Sequence, residues 1–167
     1  MGKEEQGIDQ QRYTVIPRTL ILLFDGEDVL LLKGAKNKKR WAGKYNGLGG
    51  HIERGEDVLT SAKRELQEES GLTDIQLYLC GTIICDVEAF LGVSIFVYKG
   101  SIQKVALQPS EEGQLEWINT ANLETLNIVE DMQAIIPHVH HWKVGDTLFS
   151  ATNAYDEEER LVTTFYS

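Results

Sequence analysis

The chain has 167 residues, 42% of them hydrophobic and 25% charged, which suits one buried core better than two. Its net charge of −10 argues against a long nucleic acid held through its phosphates, and no apolar run approaches the length of a membrane span. Cys80 and Cys85 lie in an apolar stretch without metal-ligand spacing, and buried reduced thiols fit a cytoplasmic setting.

Residues 1–12 (MGKEEQGIDQQR) read as a flexible polar tail ahead of one domain over 13–167. They hold no hydrophobic segment of a secretory signal, and Gln6 stands where a myristoylation motif needs Ser or Thr. Residues 13–24 (YTVIPRTLILLF) read as a strand, DGED as a turn, and 29–33 (VLLLK) as the returning strand of a hairpin. Residues 34–48 read as a loop, and Lys33, Lys36, Lys38, Lys39, Arg40 and Lys44 make a basic cluster just upstream of residue 50. That cluster is either a solvated face or a polyphosphate contact. A helix is expected from about 57 to 70, with Leu59, Ala62 and Leu66 at helical spacing and Gly71 as its terminator. Strands follow at 75–85, 92–98, 102–107 and 114–118. Residues 121–142 read as mostly helical with a break or bend at Pro137, and 147–166 as a hairpin turning around 153–157.

The chemistry concentrates in residues 50–72, GHIERGEDVLTSAKRELQEESGL. Glu65, Glu68 and Glu69 stand at i, i+3 and i+4 and are therefore neighbours on one helix surface. Their mutual repulsion calls for a cation, and a divalent metal accepting hard oxygen ligands is the natural candidate. The segment resembles the Nudix box, G-x5-E-x7-R-E-U-x-E-E-x-G-U with U a bulky apolar residue. It matches at Gly50, Glu56, Arg64, Glu65, Leu66, Glu68, Glu69, Gly71 and Leu72. The resemblance implies a mixed β-sheet in an α/β/α sandwich and hydrolysis of a phosphoanhydride. It also implies Mg2+, with Mn2+ as a possible substitute, held by Glu65, Glu68 and Glu69. The loop carbonyl of Gly49 is a further candidate ligand, since glycine lets backbone approach closely. In the nucleoside-triphosphatase branch an extra glutamate joins the metal site from a later loop, and Glu112 fits that spacing better than Glu111. Glu56 and Arg64 are expected to pair and brace the site from behind the ligands.

The substrate is less sharply marked. KYNGLGG (44–50) resembles the W-N-G-F-G-G entry of MutT-like enzymes acting on oxidised purine triphosphates such as 8-oxo-dGTP. By that resemblance Asn46 faces the base, and Glu130 and Asp131 fall where two acids read it. A plain alternative for those acids is a favourable place at a helix N-terminus. Ile128 replaces the stacking tryptophan of that branch, and His51 follows the double glycine where Lys is common, making any phosphate contact pH-sensitive. Trp41, Tyr45 or Phe90 are the alternative stacking residues. Val87 stands where ADP-ribose hydrolases carry proline, and Ala89 and Phe90 where dinucleoside-polyphosphate hydrolases carry tyrosine. The leading expectation is a nucleotide pyrophosphohydrolase with a small-molecule substrate and no membrane or long nucleic-acid partner. Hydrolysis of another nucleoside diphosphate derivative (ADP-ribose, a nucleotide sugar or a dinucleoside polyphosphate) and nucleotide sensing without turnover stay open. His138, His140 and His141 lack the spacing of a helical zinc site and are expected at the surface or facing a partner.

Overall fold

The computed structural model describes residues 2–9, 11–37 and 41–166. A mixed sheet organises them, with strands β1 (Thr14–Asp25), β2 (Asp28–Gly34), β3 (Tyr45–Asn46), β4 (Tyr78–Glu88), β5 (Leu91–Ser101), β6 (Gly113–Asn119), β7 (Phe149–Tyr155) and β8 (Leu161–Tyr166). The order is β3-β2-β1-β5-β4-β7-β8, with β6 on the other edge of β2. Strand β1 runs parallel to β5 along its length and β4 parallel to β7, while the remaining pairs are antiparallel.

Two helices, α1 (Val58–Ser70) and α2 (Met132–His141), cover opposite faces. The pleat of β1 divides its apolar run between them. Ile21 and Leu23 pack with Ala62 and Leu66 of α1, while Leu20, Leu22 and Phe24 pack with Met132, Ile135, Ile136 and Val139 of α2. A strand buried on both faces needs a continuous apolar sequence, which TLILLF supplies.

Several sequence expectations shift. The β1–β2 hairpin is laddered only at its turn, through Phe24–Val29 and Asp25–Asp28. Beyond it β1 bonds the loop after β3: the N–H of Thr19 donates to Gly50 O at 2.8 Å and that of Ile21 to Leu48 O at 2.8 Å. Residues 102–107 are not a strand, because the chain leaves the sheet after Ser101. The Ile102 N–H instead caps Phe24 O, and that of Lys104 reaches the Asp25 carboxylate. The segment read as one broken helix is a 3₁₀ turn (Thr120–Thr125), an extended link and then α2, which contains Pro137. The terminal hairpin turns after Tyr155, so Asn153 lies inside β7. Within the presumed tail, Lys3–Gln6 form one 3₁₀ turn.

Candidate active site

Helix α1 is fixed at both ends. Asp57 Oδ1 accepts the N–H groups of Leu59 and Thr60 at 2.9 and 3.0 Å. Gly71, at φ 73°, closes the helix by donating to Gln67 O. With Ala62 and Leu66 turned into the core, Glu65, Glu68 and Glu69 face the loop that enters the helix.

Arg64 gathers this face. Its Nε and Nη2 fork onto Glu56 at 2.7 and 3.0 Å, and its Nη1 donates to Glu65 at 2.8 Å and Glu68 at 3.1 Å. Nη2 also donates to the His51 carbonyl at 3.0 Å, tying the helix to the loop. The hydrogen bonds from Arg64, followed by that from the Glu53 N–H, hold the Glu56 carboxyl at a pKa of about 2. The same partners, Glu56 first and Glu65 second, push Arg64 further above its ordinary value.

Two glycines bring backbone and carboxylates together. Glu69, only 9% exposed, accepts the Gly49 N–H at 2.8 Å. Gly49 has φ 130°, and a side chain there would also overlap the Thr19 carbonyl. At Gly50 a Cβ would stand on the Glu65 carboxylate. Among the described residues no three His, Cys, Asp or Glu side chains already surround one point. Glu65 and Glu68 share Arg64 while Glu69 turns to Gly49. The donor set, several carboxylates beside close-packed glycine backbone, is chemically matched to a hard divalent cation.

Three cavities run side by side. The first, about 510 Å³, lies between α1 and the loop before β6, with Glu65, Glu68 and Glu69 on one wall and Glu111 and Glu112 on the other. His51 and Glu53 border it. The second, about 380 Å³, contains Asn46, Asp131, Asn153 and Thr19. Between them a cavity of about 550 Å³ holds Lys44, Glu69 and Glu112, together with Arg18, Trp41 and Asn46. Gly49 borders all three. The acidic cavity and the Asn46–Asp131 cavity are thus two ends of one trough.

Asp131 is the unusual group at the far end. Its Oδ2 accepts from Asn153 Nδ2 at 2.8 Å, while its buried Oδ1 has no hydrogen-bond partner among the described residues. Burial raises its pKa, outweighing the opposing hydrogen bond from Asn153. It occupies the N-cap position of α2 without a capping hydrogen bond from its side chain, so helix capping does not account for it. The buried Thr19 Oγ1 in the same cavity also lacks a hydrogen-bond partner among the described residues. Asn46 Oδ1 accepts the Gly47 N–H at 2.8 Å, fixing its amide plane. Glu130 is exposed and borders none of the three cavities.

The aromatic candidates separate clearly. Tyr45 is buried, with its hydroxyl bonded to Glu116 at 2.7 Å, and Phe90 is 70% exposed away from the trough. Trp41 borders two of the cavities. Lys44 borders the middle cavity and Lys33 lies over the Tyr45 ring, whereas Lys38, Lys39 and Arg40 lie outside the described residues. His138 stacks on Phe165 at 3.9 Å, and the His140 and His141 rings contact the carbonyls of Gly26 and Pro137. Burial raises the Cys80 and Cys85 thiols to about 12 and about 11, leaving them neutral.

The family model of the NUDIX domain matches residues 15–139, from β1 to the last turn of α2. The chain belongs to the Nudix family. It is 33% identical over 105 residues to an oxidized purine nucleoside triphosphate hydrolase of Danio rerio, across 60% of this chain and 64% of that protein. To the Mus musculus protein of the same description it is 45% identical over 65 residues, covering 39% of this chain and 40% of that one. The matches therefore span less than two thirds of either relative. A MutT protein structure from Bacillus halodurans superposes with a TM-score of 0.73 at 26% identity, over 90% of this chain and 97% of that chain. A MutT protein from Methanosarcina mazei, 19% identical with a TM-score of 0.65, shares the fold over 76% of this Nudix chain and 94% of its own.

Arg18, Thr19 and Asn153 escape the sequence reading. Arg18 and Thr19 sit in an otherwise apolar strand, where a lone cation is the available signal. Asn153 resembles a turn residue until β7 buries it to 1% exposure.

Proposed function

We propose that this chain is a Mg2+-dependent pyrophosphohydrolase acting on nucleoside triphosphates, with Mn2+ able to replace Mg2+. Its preferred substrates are oxidised purines such as 8-oxo-dGTP. The observation that carries the reading is the single trough joining an acidic cavity to the Asn46–Asp131 cavity through Gly49. A triphosphate needs a cation-binding end, and a purine needs an end offering donors and acceptors beside apolar surface.

Glu65, Glu68 and Glu69, the Gly49 carbonyl and Glu112 would hold the cation. When bound, it neutralises phosphate oxygens and acidifies water for attack. The protein's own groups prepare this end. Arg64 holds Glu65 and Glu68 in place, Glu56 holds Arg64, and the Gly49 N–H holds Glu69. Water adds across the α–β anhydride, giving a nucleoside monophosphate and pyrophosphate, and a carboxylate of Glu65 or Glu112 takes the proton. His51, beside the acidic cavity, contacts a phosphate of the substrate. At the other end the Asn46 amide pairs with the purine edge, and Asp131, whose pKa burial raises, donates to a purine oxygen in its protonated form.

A panel of oxidised and unmodified purine triphosphates, ADP-ribose and dinucleoside polyphosphates, ranked by kcat/KM, tests the assignment. The oxidised purine triphosphates should lead. Equal rates on dGTP and 8-oxo-dGTP would remove the preference, and unchanged turnover in Glu69→Gln would remove the metal assignment.

A further inference from the structure

We infer that Trp41, steadied by Arg18, forms the platform on which the purine stacks, and that this pair, not residue 128, sets the strength of base binding. The inference rests on the nucleotide reading above and adds residues to it. Position 128 holds Ile128, 6% exposed and packed into the core beside α2, so it presents no aromatic face. The trough nevertheless has an aromatic wall. Trp41 is 38% exposed and borders both the Asn46–Asp131 cavity and the middle cavity. The Arg18 guanidinium carbon lies 5.3 Å from the centre of its indole, within cation–π range, and Arg18 borders the same two cavities.

The backbone holds the indole at this junction. Trp41 has φ 56°, a left-handed conformation that bulky residues seldom adopt. Its carbonyl accepts the Lys44 N–H at 3.0 Å and lies so close to Gly34 that a Cβ there would overlap it. Strained backbone of this kind concentrates at functional sites, where the surrounding structure enforces it. The position explains the use. A flat heterocycle whose edge meets Asn46 and Asp131 has one face open to the shared wall of the two cavities, and that wall carries Arg18 and Trp41. Arg18 is a positioning residue in this scheme. It fixes the indole from one side, and its charge lies near the point where base gives way to phosphate.

The test uses full-length protein in EDTA, titrated with dGMP and with 8-oxo-dGMP by calorimetry and by tryptophan emission. Without metal the carboxylate end offers the monophosphate no attraction, so favourable binding reports the base end. Wild type should bind both with saturable quenching. Stacking on an aromatic side chain predicts that Trp41→Ala weakens binding about tenfold or more, whereas Trp41→Phe, which keeps a flat face, stays within about threefold. Arg18→Met should raise the Kd several-fold, and Arg18→Lys, which keeps the cation, should restore most of it; in turnover the Arg18→Met loss should fall on KM more than on kcat. Equal binding by Trp41→Ala and wild type would overturn the platform, as would equal losses in Trp41→Ala and Trp41→Phe when both melt like wild type. Triphosphate hydrolysis that proceeds while neither monophosphate binds at millimolar concentration would sink the platform and leave the hydrolase. Monophosphate binding that depends on Trp41 without any hydrolysis would sink the hydrolase and leave the platform.

Discussion

Arg64→Lys separates charge from geometry at the candidate active site. Arg64 makes six side-chain donor contacts: two to Glu56 and one each to Glu65, Glu68, the His51 carbonyl and Ser61 Oγ. A lysine ammonium offers three donors at a single point and cannot span Glu56 and Glu68 at once, so at least three contacts are lost. At about 0.5–1.5 kcal/mol net for each hydrogen bond, and with water replacing part of the loss, the substitution should cost about 2–3 kcal/mol. Partial replacement is expected because the Arg64 side chain is 27% exposed. Urea unfolding should show a lower midpoint with an unchanged slope. Loosening the groups that orient Glu65 and Glu68 should lower kcat about 10–100-fold. The pH dependence should change as well. Glu56 has its folded pKa depressed to about 2 from an ordinary 4.5. Its contribution to stability is therefore complete above the ordinary value and lost as pH falls from there through about 2. Loss of the fork in Arg64→Lys should flatten that acid limb. A lysine variant with wild-type midpoint, acid limb and kcat would refute the bracing role.

Gly50→Ala places a methyl on the Glu65 carboxylate, so turnover should fall at least tenfold (about 1.4 kcal/mol of barrier) while far-UV circular dichroism stays native. Wild-type turnover would show that the carboxylate has room to move. Asp131→Asn removes a carboxylate whose pKa burial raises. In the wild type the neutral form is favoured at low pH, and ionisation of this buried group costs stability as pH rises through its folded pKa. The variant should therefore melt higher than wild type at pH 8, with the difference vanishing below the ordinary carboxylate range, and should lose discrimination between oxidised and normal purines. A lower melting temperature at pH 8 with intact discrimination would contradict both the burial argument and the base role.

The sequence was most legible where physical chemistry is local. The three glutamates at i, i+3 and i+4, the Gly71 terminator and the apolar run of β1 each constrain their own neighbourhood, and α1 and β1 follow from them. Pairing across long separations was not legible. Nothing local makes β1 leave β2 after the turn to run beside β5, nor denies residues 102–107 a strand partner. The same limit hid part of the candidate site. Asn153 acquires meaning only when β7 buries it against Asp131, and Arg18 only when the loop carrying Trp41 folds over β1. Asn46 and Asp131 were legible only through resemblance, since 85 positions separate two residues that share one cavity.

The most direct measurement follows both products of 8-oxo-dGTP in the presence of Mg2+, comparing wild type with Glu69→Gln. The proposed chemistry predicts one pyrophosphate and one 8-oxo-dGMP per turnover, abolished by EDTA and reduced at least a hundredfold by the substitution, about 2.7 kcal/mol of barrier. Release of orthophosphate, or wild-type turnover in Glu69→Gln, would contradict it.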